Sequence, residues 1–423
     1  MAKLTVVGIG ARPLDERARQ AVLAAEAVIG TRRTCEVFAR YAEFAGVKAK
    51  VRQMETIGAA MASVREALAK GAGPVVLLAS GDPLFFGAGR RAVEEFGPDG
   101  VEVIPDVSSF QLAFSRIKTA WDEALLVSFH GSSDAERRRR LRYAPDDLPG
   151  LLSDHAVIAA LTDREHGPAE IARALQCAAD LWPSLTVHVC ERLGLDDERV
   201  TEGPPGKIAS MSFDDLNVVI ITREGREPVV AGKARPCFGL KEDEIAHAGG
   251  LITKDEVRAV TLHALRLPEG GVMWDIGAGS GAVSIEAARL SPRLRIFAVE
   301  KDPAQIEKVR ENRASFGLPS IEAVEGEAPA ALASLPAPDR VFIGGSGERL
   351  GQIIETVGAG MDKGIVVVNA ATLDTLNEAV AGLEKAGFRV GVSQVSVARM
   401  RPAGKKRLMA ALNPVFVITG EKG

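Results

Sequence analysis

The stretch Met273–Arg289, MWDIGAGSGAVSIEAAR, passes from an apolar segment through Gly277, Gly279 and Gly281 into alanines and aliphatic residues. It reads as a buried strand, a tight turn and a helix, the arrangement that holds an adenosine-bearing cofactor in an α/β sheet. Short apolar runs continue on both sides of it. LRIFAVE, RVFIGG, GIVVVNA and VFVITG follow; LTVVGIG, VVLLASG, VEVIPD, LLVSFHG and AVIAALT come before. Stretches of amphipathic helix length separate them. One is PAQIEKVRENRASF, Pro303 to Phe316, with Pro at its start after Asp302. Short buried strands alternating with helices imply βαβ units and parallel sheets.

A chain of 423 residues is too long for one ordinary core, so two or three domains are expected. REGREPVVAGKARPC, at 223–237, is charged, broken by Gly and Pro, and follows the strand LNVVIIT. It reads as a linker. A weaker break lies near 113–124. The fold class is α/β. Two α/β subdomains at about 1–115 and 122–222 are followed by a Rossmann-like domain at 238–423.

Composition is that of a globular protein, 46% hydrophobic and 26% charged, and a net charge of −4 argues against a polyanion binder. Cys35, Cys177, Cys190 and Cys237 form no CxxC pair and have no His at metal-ligand spacing. Neither a disulfide framework nor a metal site is expected, and a reducing compartment is favoured. The N-terminus lacks the pattern of a signal peptide. No apolar run approaches the length of about 20 residues that a membrane helix needs. A cytoplasmic protein without membrane contact follows.

The cargo of the Met273–Arg289 turn is decided by its carboxylate. Gly277, Gly279 and Ala282 satisfy the dinucleotide pattern G-x-G-x-x-G/A on paper. A pyrophosphate, however, wants bare N–H groups and no acid nearby. Asp275, Gly277, Gly279 and Gly281 make the form D-x-G-x-G-x-G. S-adenosylmethionine has no phosphate and carries an ammonium, so an acid at Asp275 is tolerable. Glycines at Gly277, Gly279 and Gly281, with Ala278 and Ser280 between them, let backbone approach the ligand. Glu300, with Lys301 after it in FAVEKD, stands where an acid accepts ribose hydroxyls in either cofactor class. Glu327 and Ala328 follow a third strand, at the place where an adenine edge is read. After the fourth strand, Gly344, Gly345 and Ser346 offer no aromatic face or polar clamp for a base amine. They leave room for a broad, flat acceptor, or simply make a tight strand exit.

A second glycine turn, Gly8 and Gly10, follows the first strand. GxG alone says little, but two further strand exits join it. LLASGDPLFFGAGRRA carries Ser80, Gly81 and Asp82, with Phe85 and Phe86 expected to begin a helix. IPDVSSFQLAF carries Ser108 and Ser109, whose hydroxyls can cap the next helix. Three strand ends on one edge of a parallel sheet are a ligand site.

Taken together, VVGIGARP, GDPLFFG and PDVSS resemble the tetrapyrrole methylase family, with Ala11 where Pro is usual and Asp106 where Gly is usual. LTDREHGPAEIARAL and VCERLGLDDERV resemble that family's second subdomain. FGLKEDEIAHAGGLITKDEVRAVTLHAL, MWDIGAGSGAVSIEAA, AVEKD, VEGEAP and VFIGGSG resemble the decarboxylating precorrin methyltransferases of cobalamin synthesis, class I enzymes. The resemblance implies a bifunctional C-methyltransferase that uses two S-adenosylmethionines, one per domain. It would methylate carbons 5 and 15 of precorrin-6Y and remove the ring C acetate carboxyl, giving precorrin-8. It also implies that Thr253 reaches the cofactor, and that the protein self-associates as a homo-oligomer with a tetrapyrrole as its small-molecule substrate; the neutral-to-acidic charge balance and the lack of an N-methylation motif argue against a nucleic acid partner. An RNA methyltransferase is the alternative; a tandem cofactor sensor and a dehydrogenase fusion are further ones.

An acidic substrate calls for cations. Arg137, Arg138, Arg139, Arg140 and Arg142 form one basic run, read mainly as a solvated helix. Arg399 and Arg401, with Lys405, Lys406 and Arg407, form a second, either a substrate-covering loop or an exposed hairpin. Arg399 and Arg401 are the candidate substrate residues, beside Gly345 and Ser346. No Ser-His-Asp constellation is expected, and no catalytic acid or base is assigned. His130 is read as structural; His247 and His263 are placed in helices without a role.

Overall fold

The computed structural model describes residues 4–10, 12–71, 73–130, 142–223, 236–250 and 252–423, and three sheets organise them. The first contains β1 (Leu4–Ile9), β2 (Ala27–Thr31), β3 (Val51–Met54), β4 (Val75–Ser80) and β5 (Val101–Ile104). They run in the order β3-β2-β4-β1-β5 and every pairing is parallel. Both faces of β1 are buried, Leu4 and Val6 in one cluster and Val7 and Ile9 in another. That is why its sequence is continuously apolar and does not alternate. All strand exits of a parallel sheet lie on one edge, so Gly8–Gly10, Ser80–Asp82 and Pro105–Ser108 come together.

The second sheet holds β6 (Leu125–Ser128), β7 (Val157–Leu161), β8 (Thr186–Glu191), β9 (Arg199–Gly203) and β10 (Asn217–Thr222), in the order β6-β7-β10-β8-β9. Here the expectation of parallel sheets fails. Only β6 pairs with β7 in parallel; β7–β10, β10–β8 and β8–β9 are antiparallel. The connection between Glu191 and Arg199 is too short for the crossover of a dozen or more residues that a parallel pair needs. The helix Ser109–Ile117 leaves the first sheet but packs on the second. Its Phe110, Ala113 and Phe114 sit against Ala159, Cys190, Val218 and Ile220.

The third sheet holds β11 (Gly270–Ile276), β12 (Arg293–Glu300), β13 (Ile321–Glu325), β14 (Arg340–Ile343), β15 (Gly364–Ala370), β16 (Arg389–Val395) and, after the hairpin β17 (Ala398–Ala403) and β18 (Lys406–Ala411), β19 (Val415–Lys422). Its order is β13-β12-β11-β14-β15-β19-β16. β11 to β15 are parallel, and β19 lies antiparallel between β15 and β16. Met273 faces one core cluster, while Trp274 and Ile276 face the other. The expected helix spans Pro303–Phe316, with the Asp302 side chain accepting from Ala304 N.

The helix Leu148–Asp154 and the helical turn before it pack against β12 and join the second sheet's unit to the third sheet. Arg313 pairs with Asp180 at 2.6 Å and Arg295 with Asp146 at 2.6 Å. Gly150 sits so close that a Cβ there would lie 1.8 Å from the Pro292 carbonyl oxygen. A cavity of about 340 Å³ in this interface is lined by Asp146, Glu170, Arg173, Cys177, Arg295 and Glu322. It borders neither glycine turn, and its acids and bases offset one another. No helix among the described residues is long and apolar enough to cross a membrane. The arginine run at 137–140 and most of the linker lie outside the described residues.

Candidate active site

The turn after β11 is built almost wholly from backbone. Gly277, Gly279 and Gly281 have φ of +68°, +55° and +77°, which L side chains rarely adopt. Gly277 N and Ala278 N both donate to the Val299 carbonyl, at 2.9 and 3.1 Å. A Cβ on Gly277 would lie 2.3 Å from the Gly345 carbonyl oxygen, whereas one on Gly279 would meet nothing within 4 Å. Gly277 is therefore small so that two loops can touch, and Gly279 leaves an open face. Gly344 N donates to the Ile276 carbonyl at 2.9 Å, tying the exit of β14 to the end of β11. Gly344 and Gly345 are exposed and Ser346 is half-buried, so their loop forms one wall.

Charged groups ring this edge. Glu300 accepts Gly279 N at 2.9 Å on one oxygen, and Lys301 N (2.8 Å) and Asp302 N (3.0 Å) on the other. A carboxylate has about four acceptor sites, so one stays open for a hydroxyl. Glu327 bridges Lys301 at 3.3 Å and Arg349 at 3.2 Å, and Ala328 is buried behind it. The open backbone over Gly279 and the unfilled acceptor on Glu300 fit the adenosine and amino-acid parts of S-adenosylmethionine.

Asp275 does not line the open face, as its motif position had suggested. It is fully buried under the turn, where its Oδ2 accepts Ser284 Oγ at 2.6 Å and Ser284 N at 3.2 Å. Its Oδ1 is buried with no partner among the described residues. Burial pushes the Asp275 carboxyl up to about 6, against the opposing hydrogen bonds from Ser284. The folded state thus keeps a proton that the unfolded chain loses near pH 4, so stability falls as pH rises from about 4 to about 6 and is flat above. The expected loss is up to about 3 kcal/mol. Asp275→Asn removes that slope relative to wild type, which urea denaturation at pH 4.5 and pH 7 measures.

At the first sheet, Gly81 N donates to the Ile9 carbonyl at 2.9 Å and Asp106 N to the Gly81 carbonyl at 3.2 Å. A Cβ on Gly8 would lie 2.1 Å from Gly81 O and 2.5 Å from Asp106 N. The three strand exits are thus laced through backbone at Gly8. Gly10 N donates to Tyr41 Oη at 2.8 Å, and Tyr41 Oη donates back to Gly10 O at 2.9 Å. Arg12 holds the Asp106 carboxylate at 3.0 Å. Ser108 spends its hydroxyl on a capping box with Gln111, and Ser80 and Ser109 flank the same edge. Asp82 Oδ1 accepts Leu84 N at 2.9 Å. Phe85 and Phe86 do not begin the helix: it starts at Ala88, because Phe86 takes a left-handed φ of +54°.

The sequence model described as Tetrapyrrole (Corrin/Porphyrin) Methylases matches residues 3–209, and the Precorrin methyltransferase domain matches residues 244–422. A Sinorhizobium protein named precorrin-6Y C(5,15)-methyltransferase [decarboxylating] is 34% identical over 419 residues, covering 98% of this chain and 95% of its own. The chain belongs to the precorrin-6Y C(5,15)-methyltransferase (decarboxylating) family. It is thereby an S-adenosylmethionine-dependent methyltransferase. A Pyrobaculum calidifontis protein named probable cobalt-precorrin-6B C(15)-methyltransferase (decarboxylating) is 41% identical over 184 residues, 43% of this chain and 94% of its own. A crystal structure titled precorrin-6y C5,15-methyltransferase from Geobacter metallireducens is 49% identical, covers 44% of this chain and 98% of its own, and has a TM-score of 0.43.

In this precorrin methyltransferase Arg399 has a different job from the one its sequence suggested. Its guanidinium grips Glu256 at 2.9 and 2.5 Å and Glu242 at 2.7 Å, so the β17–β18 hairpin is clamped to the start of its own domain. These acids take three of its five N–H donors. Arg401 is exposed and makes no ion pair among the described residues. His263 lies in the helix Asp255–Leu265, whereas His247 lies in no helix. Sequence reasoning missed the residues that seat the turn. Arg258 is 0% exposed; it pairs with Glu286 at 2.5 Å and donates to the Thr253 carbonyl at 2.8 Å. Glu286 accepts Gly239 N at 2.7 Å and Leu240 N at 2.8 Å. Asn312 joins Ala246 to the Ser280 carbonyl, at 2.8 and 2.9 Å. A carboxylate at Glu286, in the middle of a helix whose other residues before Arg289 are small or apolar, was the available signal.

Proposed function

We propose that the chain carries two active sites, each taking one S-adenosylmethionine. The N-terminal part, 1–222, methylates carbon 5 of precorrin-6Y. The C-terminal part, 238–423, methylates carbon 15 and removes carbon dioxide from the ring C acetate, giving precorrin-8. The observation that carries this reading is the pair of separate backbone turns, at Gly8–Gly10 and Gly277–Gly281, each where the parallel strands of its own sheet end. The Sinorhizobium relative, whose name gives both carbons, aligns through nearly the whole chain.

When bound, S-adenosylmethionine supplies a methyl group on a positively charged sulfur. In the C-terminal site, Gly279 and Glu300 hold it at the turn, and Thr253, Lys301 and Glu327 stand around it. In the N-terminal site, Gly8, Gly10, Gly81, Asp82, Phe85 and Ser108 shape the edge. Because the leaving sulfur departs neutral, the residues need to supply little acid–base chemistry. Holding donor and acceptor at near-attack distance is worth up to about 7–11 kcal/mol. Gly344 and Gly345, beside Ser346, leave a side-chain-free surface for a broad ring. Loss of carbon dioxide needs an electron sink, which the conjugated ring contains; the protein's part is to keep water off the acetate.

Calorimetric titration of the intact chain with S-adenosylhomocysteine is expected to find two sites per chain. A single site, with no second one at any concentration up to the millimolar range, removes the reading.

A further inference from the structure

The GDPLFFG loop holds a bulky residue in a costly conformation. Phe86 has a φ of +54°, rare for any side chain and an outlier for an aromatic one. Its ring is also 49% exposed, with Leu84 beside it at 54%. The loop is held firmly. Asp82 Oδ1 takes Leu84 N at 2.9 Å, and Gly89 N donates to the Pro83 carbonyl at 2.8 Å. Gly87 and Gly89 both lie so close that a Cβ would stand 2.5 and 2.7 Å from that same oxygen. Phe86 meets Phe85 edge-on at 4.8 Å, and Phe85 meets the buried Phe110 at 5.4 Å. A chain of rings thus runs from the core to a strained, outward-facing aromatic. Such strain persists where the surroundings impose it, and it gathers at ligand clamps.

Arg33 faces the same edge from the neighbouring strand. β2 lies beside β4, and Arg33 is the second residue of the helix Arg32–Phe38 that leaves β2. Thr31 caps that helix, which fixes the direction of its first turn. Arg32 pairs with Glu36 at 3.0 Å, but Arg33 makes no ion pair among the described residues. It is exposed to solvent, yet the surrounding protein pulls its guanidinium below the ordinary pKa, against the attraction of Asp214 from beside the second sheet. Asp214 is itself engaged, with Arg192 at 3.4 Å and with Leu216 N at 2.8 Å.

We propose that Phe86 and Arg33 form the substrate seat of the N-terminal half: the Phe86 ring lies against a face of the macrocycle, and the Arg33 guanidinium pairs with one of its carboxylate arms. This rests on the reading that this half methylates precorrin-6Y. An aromatic plane and a fixed planar cation are the complement of a flat, acidic ring.

The test uses the intact enzyme, with the KM for precorrin-6Y in carbon 5 methylation and the Kd for S-adenosylhomocysteine as separate readouts. Arg33→Ala is expected to raise that KM about tenfold or more, the loss of a charge-assisted pair, with Kd unchanged; Arg33→Lys recovers part of it. Phe86→Gly relieves the strained φ, so its Tm is unchanged or higher while KM rises. A KM unchanged in both Arg33→Ala and Phe86→Gly overturns the proposal. So does a KM that rises only together with the cofactor Kd, which would place these residues in the cofactor pocket or the fold. Should the unmodified enzyme bind no S-adenosylhomocysteine in its N-terminal half and leave carbon 5 bare, the underlying reading fails first, visibly and separately.

Discussion

Gly8→Ala and Gly277→Ala are each expected to lower the cofactor stoichiometry of the intact chain from two to one, and to do so at opposite ends. The new methyl at position 8 would stand 2.1 Å from the Gly81 carbonyl oxygen and 2.5 Å from Asp106 N, both backbone atoms. Neither can swing aside as a flexible side chain would, so the lacing of three strand exits must open. At position 277 the methyl would stand 2.3 Å from the Gly345 oxygen, and the φ of +68° adds its own penalty. Forcing a methyl into a close-packed site costs about 1–3 kcal/mol, which a chain of this size tolerates. The local cost to function is greater, because a shift of about 1 Å at a reacting centre can lower the rate about 100-fold. Carbon 5 methylation is expected to collapse in Gly8→Ala, with cofactor uptake by the C-terminal turn intact. Carbon 15 methylation and decarboxylation are expected to collapse in Gly277→Ala, with uptake by the N-terminal turn intact. Calorimetry counts the sites and mass spectrometry of the product counts the methyl groups. Two sites retained in either variant would mean that the affected turn does not hold the cofactor.

The parts of this molecule that sequence reading reached are those built from backbone. A glycine at the end of a strand says that something must come close, and Gly8, Gly81 and Gly277 do meet backbone across the gap. Continuous apolar runs marked strands buried on both faces, and β1 and β11 are such strands. What escaped was set by partners distant in sequence. Arg399 looked like a free cation because its acids, Glu242 and Glu256, lie on the far side of the domain's sequence. Asp275 looked like a ligand contact because the motif places it beside the turn; the burial that turns it toward Ser284 depends on how the following helix packs. The antiparallel second sheet was missed because strand runs without alternation look the same in either direction, and only the short Glu191–Arg199 connection carried the information.

The buried pair Arg258–Glu286 yields the second large effect. Glu286→Ala leaves Arg258, 0% exposed, without its closest counter-charge, and leaves Gly239 N and Leu240 N without their acceptor. Removing one partner of a buried ion pair costs about 3–5 kcal/mol, so a marked fall in the denaturation midpoint of the C-terminal half is expected. Stability alone would not distinguish a structural brace from a positioning role, so the double variant matters more. Glu286→Leu with Arg258→Met replaces the pair by apolar volume, which is often neutral or stabilising. It should therefore recover much of the midpoint lost in Glu286→Ala. It cannot recover the tie to the Thr253 carbonyl, the hold on residues 239–240, or the attitude those give to the segment beside the glycine turn. Cofactor affinity in the C-terminal half is accordingly expected to stay at least about tenfold weaker than wild type, equivalent to about 1.4 kcal/mol, while the N-terminal site binds normally. A double variant with recovered stability and wild-type affinity at both sites would show that the pair holds the domain together and does nothing for the turn.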